Sequence, residues 1–275
     1  AGVNRVPKAR RARAVAAYID LDPAWTQIRL AAGDRGLTEM IADHDVHFTL
    51  GENIGTPPCR IPTGAVRWQP IRQPVVATLW EPAPEDPAAP FTTVGRWDAV
   101  DRDVTFDGEI LAWRKRTEWL HFVDLPRATG QRFVVAMDVA SRPDDLARLR
   151  AAGWEVLDPL EVSRDPELYR DFVRHSRGEF TVAKGVNIRL RSGWFSDRGA
   201  CYLAAGRPVV NQDTGFDEHL PVGEGLFAFR TPADASAAFA AIAADYRRHA
   251  RAARALACEY FAPERVLAAL VGAAR

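Results

Sequence analysis

Cysteine is scarce in this chain, and its scarcity excludes the most. Cys59, Cys201 and Cys258 are the only three among 275 residues and lie far apart, which rules out a disulfide framework or a zinc knuckle, since both need paired or closely spaced thiols. A reducing, cytoplasmic setting is the expectation. Net charge is lacking too: 36 basic and 36 acidic residues cancel, so bulk electrostatics advertise neither nucleic acid nor an anionic membrane as a partner. No apolar run approaches the roughly 18 residues that span a bilayer, and the first residues carry no apolar core of a secretory signal. Internal repeats are absent, and so is low complexity beyond alanine-rich stretches. One cationic run, Lys8 to Arg13, interrupts the balance and reads as a solvated helix face.

What is present is an ordinary globular composition, 47% hydrophobic and 26% charged, enough for one or two cores. Residues 1–80 read as strand, helix, strand and loop. Arg13 to Ile19 runs into Asp20-Leu21-Asp22-Pro23, a single helix is expected over 26–41, and His47 to Leu50 leads into the loop Gly51-Glu52-Asn53-Ile54-Gly55. The proline-rich, acidic stretch 81–90 is the expected linker. From 91 to 275 strands alternate with helices: strands at 91–97, 132–137 and 154–157, helices at 141–152 and 166–175. That alternation predicts an α/β domain built on a doubly wound parallel sheet. Thr231-Pro232-Ala233-Asp234 is a capping box with proline at the first helical position, followed by an apolar face of Ala235, Phe239, Ile242 and Tyr246. The first part is short for a doubly wound domain, for which on the order of 100 to 150 residues are expected, and it opens at Ala1 in loop-like sequence. We read it as a partial domain; a shortened chain, a processed product or a reduced domain would each account for it.

The most informative stretch is 177–229. Ser196-Asp197-Arg198 supplies a helix N-cap, followed by a short small-residue helix that stops at Gly206. Free N–H groups and the positive dipole end at such a start suit a phosphate. Lys184, Arg189 and Arg191 precede it and are placed to neutralise the rest of a diphosphate. Arg207 to Val210 reads as a buried strand ending in Asp213-Thr214-Gly215-Phe216, a loop where ligands sit in open α/β sheets.

Gly178-Glu179-Phe180, SGWFSDR at 192–198, CYLAAGRPV at 201–209, QDTGF at 212–216 and GEGL at 223–226, in this order and spacing, resemble the nucleotide-sugar half of bacterial, group-1-like GT-B glycosyltransferases. The likeness extends back through Phe91-Thr92-Thr93-Val94 and 115–126 into Ile19-Asp20 and 51–55. It implies two Rossmann-like domains facing across a cleft, the later one holding a nucleoside diphosphate sugar, the earlier one the acceptor and the base. Carried onto these positions, the start at Ser196, Asp197 and Arg198 would take the diphosphate with Lys184, Arg191 and Arg198 as charge partners and no metal or other cofactor. Gly95-Arg96 resembles the turn bordering donor phosphates, and Lys115, beside Glu118, a further basic contact. Two glutamates eight residues apart are expected in retaining members, but counting back from Gly206 places Gly193 and Cys201 there. Asp197 stands near enough to substitute in part.

Each candidate has a plainer alternative. Arg198 could form a surface salt bridge, Lys115 an exposed helical face, and 213–216 a simple turn. Glu224 could hold sugar hydroxyls or sit solvated in a turn, and Glu179 could reach a ligand from a strand start, with Phe180 in the core. Trp68, Arg72 and Gln73 could line the cleft and Trp194 and Phe195 stack on a base or sugar, although core packing suits aromatics equally. The base must approach the acceptor from the first part, which leaves Glu52 and Asp22 as candidates, aspartate being also a common helix N-cap. His44 and His47 lack a metal pattern and read as packed. Transfer of a hexose to a hydroxyl acceptor is the expected activity; a nucleotide-sugar epimerase and a non-catalytic donor-fold binding protein are the alternatives.

Overall fold

The computed structural model describes residues 14–273. The basic run 8–13 lies outside them. Eleven strands are present among the described residues: β1 Ala17–Asp20, β2 Val46–Thr49, β3 Trp68–Pro70, β4 Phe91–Gly95, β5 Val104–Phe106, β6 Glu109–Leu111, β7 Phe133–Met137, β8 Trp154–Leu157, β9 Gly178–Thr181, β10 Val209–Gln212 and β11 Leu226–Phe229. The helices are α1 Trp25–Ala31, α2 Arg35–Ala42, α3 Arg116–His121, α4 Leu125–Thr129, α5 Pro143–Ala151, α6 Pro159–Ser163, α7 Pro166–Arg174, α8 Gly185–Leu190, α9 Asp197–Ala204, α10 Pro232–Ala244, α11 Tyr246–Tyr260 and α12 Pro263–Ala273.

Two parallel sheets organise the chain. β1-β2-β3 form the first, and six strands in the order β11-β10-β9-β4-β7-β8 form the second. Helices cover both faces of a parallel sheet, so its central strands read apolar throughout rather than alternating. β7 shows this, with all five residues buried. On one face Phe91, Phe133, Trp154, Phe180 and Phe239 interlock, with Phe180 stacked on Phe229 at 5.2 Å; each fully buried ring contributes about 2 kcal/mol by removal from water. On the other, Tyr202, Leu203 and Phe216 pack against Ala253, Leu256 and Phe261 of α11 and its end.

Sheet order places a break in winding direction between β4 and β9, which pair with each other while their following helices go opposite ways. Loops diverge there and leave a crevice beyond the strands' carboxyl ends. The first sheet faces that crevice, and α12 crosses back to it, burying Val266 against Phe48, Leu50 and Ile71.

The expected single helix over 26–41 is two. Asp34 caps α2 by accepting from the Leu37 N–H at 2.9 Å, and a capping carboxylate next to Gly33 competes with a continuous helix. The expected apolar face ending in Tyr246 is likewise split, because Tyr246 begins α11 rather than ending α10. Residues 81–90 are without regular structure apart from a turn, yet Ala83 and Ala89 are buried in them.

Candidate active site

The crevice holds a cleft of about 230 Å³ lined from the second sheet by the β4 loop, residues 102 and 113–115, Lys184 and the start of α9. Its charge is one-sided. Arg96, Arg102, Arg114, Lys115, Lys184 and Arg198 line it against two carboxylates, Asp98 and Asp197. Concentrated cations in a low-dielectric recess attract an anion far more strongly than the neutral chain as a whole would suggest.

The α9 start forms as expected: the Ser196 side chain accepts from the Arg198 N–H at 3.2 Å. Asp197 accepts from the same N–H at 2.9 Å, so this donor is already taken by the helix's own side chains. Beneath the floor Glu179 is fully buried and ion-paired to the Arg198 guanidinium, while Arg198 Nη2 donates to Thr181 Oγ1 at 3.0 Å. Thr93 donates to the same carboxylate at 3.2 Å. Burial opposes the Arg198 charge, and the Glu179 carboxylate more than offsets it, holding the guanidinium ionised above its ordinary range. Lys184 answers differently: burial lowers its ammonium to about 8 despite Asp22, and its Nζ stands 3.3 Å from the Trp113 ring centroid.

Asp22 reaches across from the loop after β1. Its carboxylate takes a hydrogen bond from Arg102 Nη2 at 2.8 Å and lies 3.6 Å from Lys184 Nζ. The Arg102 guanidinium is sandwiched between Trp25 and Trp113, 4.4 and 4.6 Å from their centroids. Asp20, two residues earlier, is structural: it accepts from Thr26, Gln27 and Thr49 side chains at 2.7–2.8 Å and closes the β1 loop.

Gly95, Arg96, Lys115, Lys184, Ser196, Asp197 and Arg198 are therefore brought together, Asp22 stands at their edge, and Glu179 supports them from below. The remaining candidates are elsewhere. Glu52 is held bidentate by Arg72 at 2.8 and 2.7 Å, in a separate hollow with Tyr260 and Arg265. Arg191 is bound to Glu218 at 2.8 Å and faces Asp213 and Asp217, not the cleft. Asp213 accepts from the Gly215 N–H at 2.7 Å and from Arg230 Nε at 2.7 Å, contacts that hold its carboxyl below the usual range against the effect of burial. Thr214 donates to the Trp194 carbonyl at 2.6 Å, and Phe216 is core. Gly215 takes φ 90°, and a side chain there would strike Asn53. Glu224 sits in an exposed turn paired with Arg248. Trp194 lines the cleft, whereas Phe195 is buried beside Phe261. Trp68 is core, and Gln73 donates to the Phe195 carbonyl at 3.1 Å. His44 and His47 pack around Tyr18, as expected of packed rings.

Sequence reasoning passed over Arg102, Trp113 and Arg114, which flank the hairpin β5–β6. A signal existed: Asp107-Gly108, with φ 51° and 78°, is the pair that a tight hairpin turn demands. It also passed over Asn53, wholly buried, whose Nδ2 donates to the Arg191 and Gly215 carbonyls at 3.1 Å and whose Oδ1 meets His219 Nε2 at 2.6 Å.

This architecture recurs among solved structures. HepE of Anabaena, in complex with UDP and glucose, superposes with a TM-score of 0.57 over 93% of this chain and 70% of its own, at 12% identity. Sucrose-phosphate synthase of Thermosynechococcus elongatus gives 0.59 over 93% and 66%, also at 12% identity. A glycosyltransferase of Rickettsia africae gives 0.54 over 93% and 67%, at 9% identity. The fold is GT-B. This chain spans about two thirds of the length of these GT-B structures. No protein-family model matches it, and no curated protein matches it in sequence. Among the described residues no helix is long and apolar enough to cross a membrane.

Proposed function

We propose that this chain is a glycosyltransferase that holds a nucleoside diphosphate sugar in the cationic cleft and passes its hexose to a hydroxyl acceptor without a bound metal. The observation that carries the reading is the six-cation lining at the winding break of a GT-B sheet. The nucleotide complexes of HepE support it, one with UDP and glucose and another with UDP-glucose. In the transfer the bond from the sugar's anomeric carbon to the diphosphate breaks, a bond to the acceptor oxygen forms, and the acceptor's proton leaves to a base. Negative charge grows on the departing diphosphate. Arg198, fixed by Glu179 and Thr181, needs no reorganisation to meet it, and stabilisation by preorganised charge is strongest where water is excluded. Arg96, Lys115 and Lys184 surround the same space. Asp22 is the base in this reading: it alone of the two candidates touches residues that line the cleft, Arg102 and Lys184, and the acceptor must displace them from it.

Calorimetric titration with a panel of nucleoside diphosphates tests the binding step, and release of free nucleoside diphosphate from nucleotide sugars tests the transfer. No binding across the panel sinks the proposal. Binding without release would favour the second reading, a donor-fold protein that binds but does not turn over. A specific observation favours that reading as well: Gly193 and Cys201 stand where the retaining pattern has glutamates, and burial lifts the Cys201 thiol to about 12, leaving it inert.

A further inference from the structure

A second cationic hollow lies at the amino ends of the strands, opposite the cleft. It measures about 370 Å³, between residues 82–85 and α11, and Arg207, Arg247, Arg251 and Arg254 line it against one carboxylate, Glu85. Arg207, just before β10, is only 3% exposed, yet among the described residues only neutral groups meet its charge. Its Nη1 donates to the Tyr246 hydroxyl at 2.9 Å and its Nη2 to the Ala83 carbonyl at 2.8 Å and to the Arg174 carbonyl, while Nε is buried without an acceptor. A guanidinium cannot shed its proton as a buried amine can, so a counter-charge is the remaining way to offset its burial. Arg177 adds to the excess: its guanidinium lies 4.1 Å from the Tyr246 ring centroid, and its buried Nη1 also lacks a hydrogen-bond partner. On α11, Arg251 and Arg254 follow Arg247 by four and seven residues and so share one face with it. Like charges in such a row weaken a helix. Arg254 is committed to the Ala77 and Trp80 carbonyls at 2.9 Å and to Glu81 at 2.7 Å, whereas Arg251 has no partner among the described residues.

We propose that this hollow is a second ligand site, separate from the cleft, and that it takes a phosphate monoester. Glu85, 3.4 Å from Arg247 Nε and 3.8 Å from Arg177 Nη1, is a single charge at long range and cannot neutralise Arg177, Arg207, Arg247 and Arg251 together. A phosphate brings about two charges and three acceptor oxygens, suited to the forked donors of Arg247 and Arg251, where a carboxylate would only repeat Glu85. Pro82, Ala83 and Tyr246 offer the organic part of the ester an apolar wall. Glu85 is the internal competitor, and an entering phosphate displaces it towards solvent from its exposed loop. The two sites stand at opposite ends of α9, which begins at the cleft beside Ser196 and ends just before Gly206 at the hollow, roughly 12 Å apart for its eight residues. Nothing in the nucleotide-sugar reading uses the residues of the hollow.

Calorimetric titration with phenyl phosphate tests this, with benzoate and inorganic phosphate as comparisons. Wild type should bind phenyl phosphate more tightly than either. Replacing Arg247 and Arg251 together by alanine, both exposed on α11, should weaken that binding on the order of tenfold or more, as loss of hydrogen bonds to a charged group does. Arg35→Ala with Arg148→Ala, an equal loss of exposed charge elsewhere, should leave it within about twofold, because distant surface charges are screened. Glu85→Gln should tighten it by removing the competitor. Absence of phenyl phosphate binding overturns the proposal, and so does unchanged binding in the α11 pair, which would place the ligand in the cleft. Equal weakening by both pairs overturns it as well, by reducing the effect to general charge. Benzoate or inorganic phosphate binding as tightly as phenyl phosphate overturns the assignment to a phosphate monoester, and unchanged or weaker binding in Glu85→Gln overturns the role of Glu85.

Discussion

Two loops of the first sheet meet the second half of the molecule, and they do so in opposite ways. The loop after β1 presents Asp22 to Arg102 and Lys184 at the edge of a cleft where cations outnumber carboxylates. The loop after β2 drives Asn53 between two loops of the second sheet, where all its polar atoms find fixed partners, and anchors Glu52 on Arg72 and, through it, the His219 carbonyl. One contact is electrostatically unfinished and the other is complete. A complete polar network specifies how two bodies sit together, whereas an excess of one charge in a recess invites a ligand to complete it. Chemically similar acids in matching positions, Asp22 and Glu52, thus acquire different work.

Substitutions can break this contrast, beginning with the largest effect. Arg198→Ala leaves Glu179 buried without its partner, which should cost about 3–5 kcal/mol of stability in urea unfolding, and should also weaken UDP binding in calorimetry. Unchanged stability would show that the pair is not the floor of the site. Asp22→Asn should reduce turnover on the order of 100-fold or more, as loss of a general base does, with nucleotide affinity little altered; Glu52→Gln should leave turnover within a few-fold. The reverse ranking in a steady-state assay would exchange their roles. Asn53→Ala should cost about 2 kcal/mol by stranding carbonyls that it now satisfies, seen as a lower urea midpoint, while the surviving folded protein still binds UDP. Smallest is a pH effect. Lys184 is held at about 8 in the fold against 10.5 ordinarily, so between these values the unfolded chain binds more protons and stability rises with pH. From pH 7 to 8.5 this should add under about 1 kcal/mol in wild type, a gain that Lys184→Met removes; an equal gain in the variant would assign it to other groups.

Legibility along the chain followed the range of the interactions involved. The Ser196 cap and the Thr231 capping box are contacts over two or three residues, and both formed where the sequence placed them. The strands of the second sheet were readable because burial on both faces leaves an unbroken apolar run. The break at Gly33-Asp34 was missed because the apolar periodicity continues across it and masks the competing cap. Arg191 looked like a phosphate ligand from its place before α9, but the loop that follows β10 folds back and supplies it with three carboxylates.

By itself the sequence determined the local grammar of this protein: which segments extend, which coil, where α9 begins, and that basic residues gather around that beginning. These follow from backbone sterics, capping and burial patterns that act over a few residues. Only the tertiary structure decided which charges face each other. Glu179 under Arg198, Arg72 on Glu52 and Arg102 on Asp22 join residues 19 to 80 positions apart, and electrostatic roles depend on distance in space and on exclusion of water, neither of which spacing along the chain records.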